Sequence, residues 1–140
     1  MSLATLSGVP ILSGVLTRPL WGPWVAELEL ESAAAGGVLV APGLRLVGTV
    51  THGGQFRARA RVRVAGGFGG YDKPLPARFF RSVTLRSLLS ECLAAGGESL
   101  SATSDTAVTG RSVDAWARAR GTVGNALDAV LGRVSGAGWR

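Results

Sequence analysis

Trp24-Val25-Ala26-Glu27-Leu28-Glu29-Leu30-Glu31 alternates without a break. Trp24, Ala26, Leu28 and Leu30 fall on one face, and Val25, Glu27, Glu29 and Glu31 on the other. This period of two is the signature of a strand with one face buried and one wet. Outward from it, Ile11 to Thr17 reads as a preceding strand, and Ser32 to Gly37 as a turn. Val38 to Val40 and Leu44 to Thr51 are two further strands, joined by Ala41-Pro42-Gly43, whose proline and glycine set a tight turn. The first eighty residues therefore predict an antiparallel β-rich body, a meander or small barrel.

Phe56 to Val64 is the most regular segment, with Phe56, Ala58, Ala60, Val62 and Val64 alternating with Arg57, Arg59, Arg61 and Arg63. It reads as one strand with a wholly cationic face, preceded by a hairpin turn at Thr51-His52-Gly53-Gly54. Residues 65–74, rich in glycine and ending in Pro74, cannot hold a regular strand and read as a long exposed loop. After Phe79-Phe80 the period changes. Leu85, Leu88, Leu89, Cys92 and Leu93 recur at helical spacing, with Ser82 or Thr84 as N-cap and Gly96-Gly97 as stop. A polar stretch from Glu98 to Gly110 leads to a short helical piece, Val113 to Arg120, anchored by Trp116. A last helix, Thr122 to Val134, has Thr122 as cap and Gly136 and Gly138 as stop. The fold class is α+β, with a β-rich domain over 1–81 and a helical portion over 82–140. Trp139-Arg140 falls where a new strand begins, so the natural chain is expected to continue.

Bulk composition narrows the function. Hydrophobic residues make up 46% and charged residues 17% of 140 residues, too apolar for disorder, yet no apolar run is long enough to span a bilayer. The first residues lack the basic start and unbroken apolar stretch of a signal peptide, which points to a cytoplasmic beginning. Cys92 is the single cysteine, so no disulfide or thiolate cluster forms within one chain. The net charge of +6 comes from 15 basic against 9 acidic residues, and Lys73 is the one lysine among them. That bias reflects codon composition as much as function.

No catalytic, cofactor or metal set emerges. His52, the single histidine, reads as a turn residue, and Ser104-Asp105 or Asp114 complete no nucleophile elbow or ordered acid–base pair. Scattered carboxylates supply no spaced metal ligands. Gly66-Gly67-Phe68-Gly69-Gly70 lacks the lysine and hydroxyl ending of a phosphate loop, and is better read as a loop that orders at a subunit contact. The arginine stripe reads first as a face that is solvated or paired with Glu27, Glu29 and Glu31, second as a subunit contact, third as a nucleic-acid surface. Trp21 and Trp24, in a proline-flanked bend, read as a core corner, with Trp21 also a candidate interface anchor.

Gly14-Val15-Leu16-Thr17, Pro19-Leu20-Trp21-Gly22-Pro23-Trp24-Val25-Ala26-Glu27-Leu28, Leu46-Val47-Gly48-Thr49-Val50 and the glycine loop 66–70 together resemble the opening of tailed-bacteriophage tail and baseplate hub proteins. Ser82-Val83-Thr84-Leu85-Arg86-Ser87-Leu88-Leu89 and Gly121-Thr122-Val123-Gly124-Asn125-Ala126-Leu127 are similar to the helical portions that follow the β body in such proteins. Hub proteins usually run well past this length. The resemblance implies a structural subunit of the virion, assembled in a bacterial host cytoplasm, without catalysis or cofactor. Copies, a trimer among the candidates, would close a ring around the tail axis beside other tail or baseplate proteins. Trp21, Phe68, Tyr71, Phe79 and Phe80 are the apolar contact candidates, with Arg57, Arg59, Arg61 and Arg63 setting register. The alternatives are a nucleic-acid-binding β-barrel using the arginine stripe and a cell-wall-cleaving tail component.

Overall fold

The computed structural model describes residues 3–139. They form two compact units, one ending at Gly69 and one running from Gly70 to Trp139. The expected β-rich body is a closed antiparallel barrel. Its strands are β1 (Thr5–Leu6), β2 (Val9–Thr17), β3 (Val25–Leu30), β4 (Gly37–Ala41), β5 (Leu44–Phe56) and β6 (Arg59–Gly66), in the order β1-β2-β3-β6-β5-β4, with β4 returning to β1. The alternation in β3 is realised as read: Ala26, Leu28 and Leu30 are buried with Leu6, Leu39, Ala60 and Val64. Burying a leucine or valine stabilises by about 1.5–3 kcal/mol, and Val9, Ile11, Leu16, Leu46, Val50 and Val62 pack around this centre. Trp24 packs against the same cluster, and a Cβ added at Gly66 would stand 2.6 Å from its indole Cδ1. Glycine at position 66 is thus what lets the ring lie flat on β6.

The Ala41-Pro42-Gly43 turn holds, with Ala41 paired to Leu44 and Gly43 at φ 72°. The single strand expected over 56–64 does not. Phe56 ends β5 and pairs with Arg59, so the chain reverses at Arg57-Ala58, with Arg57 at φ 56°. Consequently His52 does not sit in a turn. It lies inside β5, opposite Arg63. A further hairpin at Ser7-Gly8, with φ 47° and 86°, joins β1 to β2.

The second unit comprises β7 (Pro74–Leu75), β8 (Arg78–Thr84), α1 (Leu85–Gly96), α2 (Thr106–Thr109), β9 (Ser112–Arg118), β10 (Gly121–Thr122) and α3 (Val123–Leu131). Its strands form two pairs, β8 with β9 and β7 with β10. The boundary lies inside the glycine loop and not after residue 81, because β8 pairs with β9 downstream and so belongs with the helices. The loop itself is not wholly exposed: β6 runs to Gly66, and Gly66 and Gly70 are buried. Val113 to Arg120 is not helical, since Ser112–Arg118 forms β9 and places Trp116 and Arg118 in the interior. The polar stretch holds the one-turn helix α2, capped by Asp105.

Both long helices start where the sequence places a cap. Thr84 accepts from the Ser87 N–H, and Gly97 closes α1 in the left-handed region at φ 80°. α3 ends earlier than expected, at Leu131 with Gly132 as its cap, so Gly136 and Gly138 do not stop it. α1 and α3 bury Leu85, Leu88, Leu89, Cys92, Val123, Leu127 and Val130 with Phe80 and Trp116 in one core. At the start of α3, Thr122 Oγ1 accepts from the Asn125 N–H at 3.2 Å, and Asn125 Oδ1 accepts from the Thr122 N–H at 3.1 Å. Thr122→Ala removes half of this reciprocal cap, and the expected loss in chemical denaturation is about 1 kcal/mol.

Candidate assembly surface

On the barrel unit, β2, β3, β6 and β5 lie side by side, and their outward residues form rows across the strands. One row is Val15, Glu27, Arg63, His52, and the next is Ser13, Glu29, Arg61, Gly54. Glu27 and Glu29 therefore stand directly against Arg63 and Arg61 of β6, whereas Glu31, the third of the acidic row, lies past the end of β3. Arg59 reaches Glu29 at 3.0 Å and Arg63 reaches Glu27 at 3.5 Å, while the Ser13 hydroxyl also donates to Glu29 at 3.4 Å. The charge-paired face expected within one subunit is what the strands build. These pairs are solvent-exposed, worth about 0–1 kcal/mol each, and act on register more than on stability.

The four arginines do not form one stripe. Arg57 leaves the strand for the hairpin turn, where its guanidinium lies 5.4 Å from the centre of the Phe56 ring. Arg61 faces Glu29 on one side and Gly54 on the other, with no ion pair among the described residues. An open depression of about 520 Å³ lies over these rows, lined by Val15, Glu27, His52, Gly53, Arg61 and Arg63 among others. The two-residue turn also moves Phe56 to the arginine side, because paired residues across an antiparallel ladder share a face. Phe56 is 76% exposed there. Reading the segment as unbroken alternation put it on the opposite side.

The sheet edges are the second feature. β4 parts from β5 at the Gly37 to Gly48 pair, so among the described residues β5 from Thr49 to Phe56 has β6 as its one strand partner. On the far side, β2 from Ser13 to Thr17 pairs, among the described residues, with β3 alone. Val15, 68% exposed, lies along that edge, and Leu12, 48% exposed, sits at the register shift just before it.

The other contact candidates divide. Trp21, in the bend between β2 and β3, is 46% exposed and is not part of the core corner, which Trp24 occupies. Phe68, in the turn after β6, is 72% exposed and Phe79 on β8 is 56% exposed. Phe80 is corrected: only 8% exposed, it stacks on Trp116 with ring centres 5.8 Å apart and serves the core of the second unit. Tyr71 is half-buried against Trp139, ring centres 4.7 Å apart, and burial together with the Glu98 charge raises its phenol above the ordinary range. Burial likewise raises the Cys92 thiol, although Arg118 beside it acts in the opposite direction. A thiol held neutral in this way is a packing group and a poor nucleophile.

Asp105 Oδ1 accepts from the Ala107 N–H at 2.8 Å and so caps α2. Among the described residues no three His, Cys, Asp or Glu side chains gather in a metal-holding group, and no helix is long and apolar enough to cross a membrane. Comparison with protein-family models, curated proteins and solved structures returns no match.

Proposed function

We propose that this chain is a non-catalytic structural subunit of a tailed-phage tail or baseplate, hub-like, that works by closing with copies of itself into a ring. The observation that carries this reading is the pair of free edges on the barrel. Successive strands in the order β2-β3-β6-β5 alternate in direction, so β5 runs opposite to β2. A copy placed beside the first by simple rotation sets its β2 antiparallel to the first copy's β5. Every copy then offers one edge and accepts the other, the heterologous contact from which closed rings are made. Unpaired backbone N–H and C=O groups along both edges supply the hydrogen bonds, and exposed Val15 and Phe56 supply apolar contact. The resemblance to hub proteins supports the same role.

The arginine side supports a second reading, binding of nucleic acid. Arg57 and Arg61 have no carboxylate partner among the described residues, and Phe56 adds a ring on which a base could stack. Absolute mass by light scattering, at low and high salt and with or without a short DNA, separates the two. A discrete oligomer that persists in high salt and ignores DNA is the expected result. A monomer that associates with DNA only at low salt overturns it, because counterion release makes phosphate binding steeply salt-dependent.

A further inference from the structure

In the second unit, a cavity of about 190 Å³ opens beside the core, lined by Leu85, Leu88, Val113, Trp116, Val130 and Val134. Apolar cavities of about 150 Å³ admit a benzene ring, so this one takes a single leucine- or phenylalanine-sized group. Its lining also includes two exposed cations, Arg111 before β9 and Arg133 after α3. Neither has an ion pair among the described residues. Arg111 donates through Nε to the Ala107 carbonyl at 3.4 Å, a long bond that leaves its terminal nitrogens uncommitted. By contrast Arg78 and Arg118 of the same unit share Glu91 at 3.0 and 3.2 Å. The mouth of the pocket is therefore positive and its floor apolar.

β9 lines the pocket through Ser112, Val113 and Trp116, and among the described residues its one strand partner is β8. Its other side has no strand partner among the described residues, the kind of edge to which an extended peptide adds.

We infer that this pocket is a docking site for an extended acidic peptide segment of a partner protein, which seats one large apolar side chain against Trp116 while its flanking carboxylates engage Arg111 and Arg133. A peptide fits better than a free small molecule because the cations and the unpaired side of β9 extend recognition beyond one buried group. The pocket lies wholly within residues 85–134 and does not depend on whether the barrel unit forms a ring.

The test uses the full chain and a fluorescein-labelled peptide with one phenylalanine flanked on each side by two aspartates, read by fluorescence polarisation and by the indole N–H resonance of Trp116. Saturable binding that shifts this resonance is expected. Because charge-assisted hydrogen bonds are among the stronger ones, binding should weaken about tenfold or more in the Arg111→Gln, Arg133→Gln double variant. Both positions are exposed, so the variant's melting temperature should stay at the wild-type value. Val113→Phe, which fills the cavity and leaves both cations, should also abolish binding. Failure of the wild-type chain to bind overturns the inference. So does equal binding by the double variant, by a peptide with lysines in place of the aspartates, or by one with glycine in place of the phenylalanine. Competition by benzoate as strong as that of unlabelled peptide also overturns it, since the site would then recognise a small apolar acid.

Discussion

Gly70→Ala is expected to lose about 3 kcal/mol or more of stability, at or beyond the upper end of what a point change ordinarily costs. A Cβ at this position would run into the Gly96 carbonyl and would also meet Gly96 Cα at 2.7 Å. Gly96 is the last residue of α1, so the obstacle is helix backbone and cannot swing aside as a side chain would. The contact is not symmetric. A Cβ at Gly96 stands 3.3 Å from the Gly70 carbonyl, a tight but tolerable approach, and alanine gains about 1 kcal/mol over glycine within a helix. Gly96→Ala should therefore change stability little. Equilibrium unfolding in denaturant, followed by circular dichroism, compares the two; equal losses would show that the approach of the loop to the helix is not what Gly70 protects.

The second large effect belongs to Arg118, whose side chain is 3% exposed while Glu91, its partner at 3.2 Å, is 33% exposed. Glu91→Gln should cost about 3 kcal/mol, the lower end for a buried pair broken from one side, because it strands a buried cation. Arg118 would keep its bond to the Pro76 carbonyl at 3.1 Å and its place 5.5 Å from the Phe80 ring centre, neither of which replaces a carboxylate. Arg118→Met should cost less, about 1–2 kcal/mol, the scale of hydrogen bonds lost to a well-packed apolar replacement. Glu91 would still hold Arg78 at 3.0 Å and reach water. Thermal or denaturant unfolding of both variants tests the order; a larger loss for Arg118→Met would place the energy in the Pro76 and Phe80 contacts.

What the sequence discloses here follows from how far each signal reaches. The alternation in β3, the Pro42-Gly43 turn and the Thr84 and Thr122 caps are local patterns, set by neighbours within a few residues, and all stand in the fold. The turn at Arg57-Ala58 carries neither glycine nor proline, and the Arg/Ala alternation runs through it unchanged. Nothing in the period shows the reversal. That concealment moved His52 into a strand and Phe56 onto the charged side. In β9, Val113, Trp116 and Ala117 have helical spacing, and only pairing with the distant β8, from Thr84 opposite Ser112 to Arg78 opposite Arg118, makes the segment a strand. Of the candidate surface, the facing of Glu27 and Glu29 by arginines was legible because both rows alternate cleanly. The free edges were not, since they depend on where β4 leaves β5. The pocket beside Trp116 was hidden for a similar reason: its walls come from α1, β9 and α3, and no single stretch of chain contains it.

The barrel closes through a short seam. β1 contributes two residues, Thr5 and Leu6, which pair with Pro10 and Val9 on one side and with Val40 and Leu39 on the other. Leu6, wholly buried, is the plug that keeps this short seam shut. Release of those two residues would unzip the cylinder into a curved open sheet, baring the first half of β2 and the outer side of β4 while leaving the β2-β3-β6-β5 wall intact. The unit thus divides into a four-stranded wall and a short seam, which the Ser7 N–H reinforces by donating to the Val38 carbonyl at 2.7 Å.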